Sequence, residues 1–546
     1  MQRCLQCSAS YDITDLDRAF YAKASVLEPA RCPDCRAQQR MAFRNEKTLY
    51  KRICDLCGNG IISIFAPGVP FPVYCQECYW GDNWDAADYA VRYDKSLGFV
   101  AQFQELLRKT PRLAIINKQS QNSDYCNYSF ANKNCYLTFG NHYEEDCMYG
   151  RYATKNKSCL DYLWTYNCEL CYECLFSKSC YRSVYLDHSE NCRECYFSSD
   201  LVACTHCLFC SNLRHKQYHI LNEPYSESEY KKYLRSAGLD GHPGFSKAKQ
   251  FFATEFRKRF PARAIYQINC ENCQGSNLEN CKNLRHCHDC ADCEDIAYAA
   301  QIDATVSSMD MTCMGYDRGE VCYQTVGCTG TSFAVVCDSC WHCHEFMYCC
   351  SCFSSHDCLG CISLKRSAYC ILNKQYPVEE YIALRDSIAA EMKNGGAWGE
   401  FFPNEISPFA YNETIAAEYY PLSAAKVSAL GWRWLEEDKK SYLPQKIVFP
   451  ESIAQVQDSF CDEVLICDCK RNFKIQKTEL PFYRNLEIPI PRKCPDCRHA
   501  ERMKRRDPRE LYLRECAQCG KDIVTPVSPE RPERIFCVSC HLAAAV

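Results

Sequence analysis

Cysteines recur at every twelfth position between Asn134 and Tyr218. Cys135, Cys147, Cys159 and Cys171 keep the spacing, Ser183 takes the next slot, and Cys195 and Cys207 resume it. A second column, Cys168, Cys180, Cys192 and Cys204, has the same period. A fixed short period signals a repeat architecture. This one is too short for a helical repeat. It suits one narrow coil of a β-solenoid, in which equivalent side chains stack into ladders. An apolar column runs beside the first: Tyr136, Met148, Leu160, Tyr172, Val184, Tyr196 and Leu208.

The theme returns less regularly in residues 266–374. Cys313, Cys337, Cys349 and Cys361 share a column with Thr325 in the missing slot, and Cys328, Cys340 and Cys352 form another. Both repeat segments end alike, with Tyr218-His-Ile-Leu-Asn222 matching Tyr369-Cys-Ile-Leu-Asn373 at an offset of 151. After the first, Ser226-Glu-Ser-Glu229 reads as a capping box that opens a helix reaching Gly238. After the second, Pro377 opens the equivalent helix and Gly395-Gly396 follows it. The pattern predicts a duplicated unit, each copy closed by a capping helix.

The two ends of the chain carry a different signal. Residues 1–80 hold four CxxC pairs: Cys4/Cys7, Cys32/Cys35, Cys54/Cys57 and Cys75/Cys78. Two such knuckles aim four thiolates at one tetrahedral ion, so the spacing predicts two zinc ribbons. Residues 461–546 repeat the arrangement. Adding 462 carries Cys7, Cys32, Cys35, Cys54, Cys57, Cys75 and Cys78 onto Cys469, Cys494, Cys497, Cys516, Cys519, Cys537 and Cys540. Cys4 alone departs, because its register position is Ile466 and Cys467 lies one place on. Cys467 and Cys461 both compete for that fourth ligand position.

The full order read from sequence is tandem ribbons (1–80), a helical linker (81–118), the first cysteine-rich repeat (119–223), a helical connector (224–265), the second repeat (266–374), a helix plus an extended aromatic-rich segment (375–460), and tandem ribbons again (461–546). Phe99, Phe103 and Leu106 mark the linker helix by their spacing. Phe251, Phe252, Phe256 and Phe260 mark the connector. The fold class is mainly β with helical connectors: two short-coil β-solenoid-like repeats flanked by paired zinc ribbons.

Of 48 cysteines, 16 are assigned to ribbons, which leaves 31 in the repeats and Cys461. The N-terminus lacks the apolar stretch of a signal peptide. That places the chain in the cytoplasm, where thiols stay reduced. The repeat thiols then read as small apolar ladder residues. A metal role for Cys168-x2-Cys171-x2-Cys174 and similar triplets competes with that reading. No phosphate-binding loop, dinucleotide fingerprint, metalloprotease or nucleophile-elbow motif occurs, so no enzyme is indicated.

Charge is uneven. Lys and Arg outnumber Asp and Glu 10 to 8 in residues 1–80 and 17 to 13 in residues 461–546, while the net charge of the chain is −4. The segment holding Arg498, Arg502, Lys504, Arg505 and Arg506 links the last two ribbons. A basic helix there can contact phosphates.

The motifs Cys32-Pro-Asp-Cys-Arg36, Trp80-Gly-Asp-Asn-Trp84, the paired Tyr-x-Ile-Leu-Asn sequences and Pro408-Phe-Ala-Tyr-Asn-Glu-Thr414 span most of the chain. In them it resembles cysteine-rich zinc-ribbon proteins of small-genome candidate-phyla bacteria. That resemblance implies a shared fold and no particular activity. The short cysteine-bearing coil also resembles the β-solenoid of insect antifreeze proteins, in architecture only, since the Thr-x-Thr ladder is missing. The sequence thus predicts a zinc-binding scaffold with about four zinc ions. Its partner is a protein or ribonucleoprotein, and a homo-oligomer is compatible with the repeats. Nucleic-acid binding through the C-terminal ribbons, or metal handling and thiol redox work in the repeats, are the alternatives.

Overall fold

The computed structural model describes residues 1–315, 317–436 and 442–545. The chain forms two compact units. Met1–Ile115 joins Tyr266–Glu436, and Ile116–Ile265 joins Glu437–Val546. The cysteine pairs at each end therefore do not fold with the repeat nearest to them in sequence. The N-terminal cysteine pairs share a unit with the second repeat, and the C-terminal pairs share one with the first. Residues 437–441 of the extended segment lie outside the described residues.

In the unit containing the first repeat, strands pair in parallel with partners twelve positions apart: Leu163 with Leu175, Val184 with Tyr196, and Cys207 with His219. Bridges such as Tyr136 with Met148 and Lys133 with Glu145 carry the same step through the earlier residues. Each rung is built of triplets. The first residue of a triplet faces inward, the second pairs with the rungs on either side, and the third has φ near +50°, as at Asn134, Asp146 and Ser158. A left-handed residue costs about 1 kcal/mol when it bears a Cβ. Backbone bonds on both sides offset this: Lys133 N–H donates to Glu144 at 2.8 Å, and Asn134 N–H to Gln121 at 2.9 Å.

The inward positions hold the cysteine columns. Cys135, Cys147, Cys159, Cys171, Cys195 and Cys207 are all buried, with Leu186, Leu201 and Leu213 among them. Their thiols donate to backbone carbonyls, Cys195 Sγ lying 3.4 Å from Arg193 O and 3.5 Å from Cys204 O. A small side chain that is also a weak donor suits a narrow interior flanked by backbone. The apolar column faces outward and forms a second core. There Tyr172, Val184 and Leu208 pack against the connector helices and the C-terminal segment. Tyr172 meets Tyr483 edge-on at 5.8 Å, and Phe197 meets Phe245 at 5.5 Å.

The unit containing the second repeat has a 12-stranded sheet with a less even step. Gln267 pairs with Leu278, a step of 11, Gly275 with Cys287 by the regular 12, and Thr305 with Gly319, a step of 14, before the regular step returns from Glu320 with Ser332 onward. The long step corrects one sequence expectation. Met311, not Cys313, pairs with Thr325 and so precedes it in that column. Cys313 sits instead at a left-handed corner, half-buried, with its thiol 2.8 Å from Gln301 Oε1.

The shared Tyr-x-Ile-Leu-Asn motif ends both repeats by one device. Asn222 Oδ1 accepts from Ser211 N–H at 2.9 Å and its amide donates to Ser211 O at 2.8 Å. Asn373 does the same to Ile362 at 2.8 and 3.0 Å. Each asparagine mimics a further strand and turns the chain into a helix, Glu227–Ala237 or Val378–Asn394. The first helix starts with the expected Ser226–Glu229 capping box and ends at left-handed Gly238. Among the described residues no helix is long and apolar enough to cross a membrane.

Candidate metal centres

Four groups of four cysteines bring their sulfurs within 4.8 Å of one another: Cys4, Cys7, Cys32 and Cys35; Cys54, Cys57, Cys75 and Cys78; Cys467, Cys469, Cys494 and Cys497; Cys516, Cys519, Cys537 and Cys540. Each is built from a hairpin turn and a helix N-terminus. The strands Tyr50–Ile53 and Gly60–Ser63 are joined by a turn in which Cys54 N–H donates to Asn59 O at 2.8 Å and Gly58 N–H returns to Cys54 O at 3.0 Å. Gly58 has φ +76°, and Gly520, its equivalent in the C-terminal copy, has φ +72°. The turn needs that conformation to aim both thiols inward, and glycine adopts it without a Cβ penalty.

The second pair of each group opens a helix. Cys32, Cys75, Cys494 and Cys537 are the N-caps of Pro33–Met41, Gln76–Trp80, Pro495–Arg505 and Val538–Ala543. Unpaired N–H groups and the helix dipole favour thiolate there. Cys75 N–H points at Cys54 Sγ (3.3 Å) and Cys537 N–H at Cys516 Sγ (3.2 Å).

Each set holds at least one cysteine below the ordinary thiol value. The Cys35 thiol, donating to Cys32, is the main cause of its fall to about 5. Burial pushes Cys54 up, but the N–H groups of Cys57 and Cys75 outweigh it and leave the thiol at about 7. The same balance puts Cys467 at about 7 and Cys516 at about 6.

Sulfur separations test what the groups can hold. Cys7 and Cys32 are 3.7 Å apart, Cys57 and Cys75 4.0 Å, Cys469 and Cys494 3.7 Å, and Cys519 and Cys537 3.9 Å. A tetrahedron with metal–sulfur bonds of ~2.3 Å has edges of about 3.8 Å. The cysteines therefore fit a four-coordinate thiolate-loving ion.

Cys467, not Cys461, completes the third group. Its turn is one residue shorter than its counterpart: Cys467 N–H donates to Arg471 O and Lys470 N–H to Cys467 O, where Cys4 is bonded to Ala9 and Ser8. Cys461 is buried elsewhere, 3.9 Å from Gln476 O. The missing residue explains why Cys4 falls on Ile466 in register.

The helices behind these cysteines dock through buried arginines. In the first unit, Arg36 Nη2 is 2.9 Å and Arg40 Nη1 3.2 Å from Asp310, and Arg40 also donates to Gln324 at 2.8 Å. In the second, Arg498 Nε lies 3.0 Å and Arg502 Nη1 2.7 Å from Asp161, with Glu173 3.1 Å from Arg502. Arg498 and Arg502 occupy the register positions of Arg36 and Arg40 in the C-terminal copy, and Asp161 and Asp310 lie in corresponding parts of the two repeats. The two constellations are copies. Arg505 continues the second to Glu173 and Asp187, at 3.1 and 2.5 Å. The five residues singled out for phosphate contact are thus placed differently from a free basic face. Arg498, Arg502 and Arg506 are buried, Arg505 is spent on two carboxylates, and Lys504 is exposed. The acidic partners carried no sequence signal of their own; at the offset of 151, Glu173 falls on Gln324 and Asp161 on Thr312. No known protein family matches the chain, and no curated protein matches its sequence.

Proposed function

We propose that the chain is a zinc-binding structural scaffold. In this reading the regular steps are coils of two short β-solenoids. Each cysteine-pair set is a zinc ribbon that clamps a solenoid through its buried arginines. The observation that carries it is that each group brings four sulfurs within 4.8 Å of one another, with one pair in each at 3.7–4.0 Å. Cysteine-only tetrahedral sites with matched knuckles are the structural class of zinc site, closed to substrate. Thiolate ligands and reduced interior thiols belong to a reducing compartment, so we place the protein in the cytoplasm. Its work is then recognition of a protein or ribonucleoprotein partner by the assembled surface.

Two competing readings lose support from particular contacts. Nucleic-acid binding by helix Pro495–Arg505 would need cations that Asp161, Glu173 and Asp187 already hold. Thiol chemistry in the repeats would need thiols that a substrate can reach, yet Cys192, Cys322 and Cys343 are all buried. Elemental analysis of protein purified under reducing conditions tests the reading. About four zinc ions per chain, with cooperative melting lost on chelation, is the expected result. Iron, or a metal content well away from four, would sink it.

A further inference from the structure

A cavity of about 190 Å³ lies within the unit formed by Met1–Ile115 and Tyr266–Glu436. Its lining includes Arg112 and Asp338, with Phe71 and Phe402 as apolar wall. Arg112 is 8% exposed, and its Nε has no hydrogen-bond partner. Its guanidinium lies over the Phe71 ring at 5.5 Å, and its nearest named anion is Asp338 across the cavity, whose carboxyl it favours in charged form without an ion-pair contact. Arg108 and Arg433, neither of them buried, add two more cations to the lining. A buried guanidinium without a carboxylate in contact is costly. The arrangement suits a ligand that brings a carboxylate into direct contact with that guanidinium.

The equivalent positions of the other unit hold different residues. Arg112 pairs with Val73, and Ala262 pairs with Ile535, the register equivalent of Val73. Alanine therefore stands at the equivalent of Arg112. Asp338 corresponds to Asp187 at the offset that relates the two repeats, and Phe43 corresponds to Arg505. In that copy Arg505 reaches Asp187 at 2.5 Å. In this copy Phe43 cannot, Asp338 accepts from Ser339 Oγ at 2.9 Å, and the guanidinium has moved to Arg112 across a cavity. The two copies thus differ at this one place in how their buried charges are arranged.

We propose that this cavity binds a small organic carboxylate. The planar fork of Arg112 matches a carboxylate's two oxygens. Phe71 and Phe402 take an apolar body, which inorganic phosphate lacks. Asp338 and Glu405 in the lining disfavour a doubly charged anion more than a singly charged one.

Benzoate is a suitable probe, titrated calorimetrically into the full-length metal-loaded chain. Saturable millimolar or tighter binding is expected. Arg112→Gln should weaken it by about tenfold or more, the scale of a lost charge-assisted pair. Asp338→Asn should leave it intact or tighter. Should Arg112→Gln fail to fold, the Asp338 variant and the anomalous signal of 4-bromobenzoate in crystals of the unaltered chain decide. The proposal is overturned by absent saturable binding, by binding indifferent to Arg112→Gln in a folded variant, or by bromine located outside the cavity. Metal content measured on the same sample separates this failure from failure of the scaffold reading.

Discussion

The side chains that carry most at the scale of single residues are the buried charges joining the cysteine-capped helices to the repeats. Asp161 and Arg502 are 0% and 1% exposed and 2.7 Å apart. Removing one partner strands the other, so Asp161→Ala should cost about 3–5 kcal/mol in chemical denaturation. Replacing the charged partners together with apolar residues of similar volume should cost much less. The same reasoning applies to Asp310, which faces two arginines. Asp17 sets a pH dependence. Burial pushes its carboxyl up, but the Arg285 guanidinium 2.7 Å away and the Thr14 backbone outweigh this and hold it below its ordinary value. A depressed carboxyl contributes stability above the unfolded value and loses it as pH falls. The midpoint of urea unfolding should therefore drop below about pH 4, and Asp17→Asn should flatten part of that drop. A slope unchanged by the substitution would count against the assignment.

At the scale of elements, each stack of rungs is an interior one side chain wide, and its tolerance is narrow. Gly150 occupies an inward slot because Tyr162 fills the space beside it, where an added Cβ would come within 1.9 Å of the ring. Tyr162 itself reaches the buried carboxyl of Glu144, which Asn141 and Asn156 also bind. Gly150→Ala should thus destabilise by about 1–3 kcal/mol, read by thermal melting, and a smaller residue at 162 should recover part of the loss. These constraints explain what the sequence shows plainly. Inward columns and helix caps repeat at fixed intervals, so Cys135, Cys147 and Cys159, and the Ser226 capping box, stand out without coordinates. The long step between Thr305 and Gly319 hid itself, since Cys313 happens to fall on the regular beat that Met311 should occupy. The basic helix Pro495–Arg505 misled for a different reason. A cationic stripe reads the same whether it faces solvent or a row of carboxylates.

At the scale of the molecule, the cysteine tetrads were legible because each is local, its ligands close together in the chain. Which repeat each ribbon pair serves was not legible, because that is set by contacts such as Arg502 with Asp161, 341 residues apart. The chain enters each unit twice. Residues 1–265 and 266–546 expressed separately each lack partners for their buried charges, Arg40 without Asp310 and Arg502 without Asp161. Neither half alone should melt cooperatively, and co-expression of the two should restore a folded complex on size-exclusion chromatography. A half that folds alone would show that the ribbons are not integral to the repeats.

The same crossing imposes an order on synthesis. The first two cysteine tetrads are complete once Cys78 leaves the ribosome, but Asp310 follows Arg40 by 270 residues. At ~5–20 residues per second that is a wait of roughly 15–50 s. Throughout it, Arg36 and Arg40 have no carboxylate to meet, and the first repeat is finished before its own ribbons exist. The early cysteine sets are local and can form alone, whereas docking must await the rest of the chain. Nascent protein is therefore most exposed to misassembly in the interval between its first and last cysteine sets.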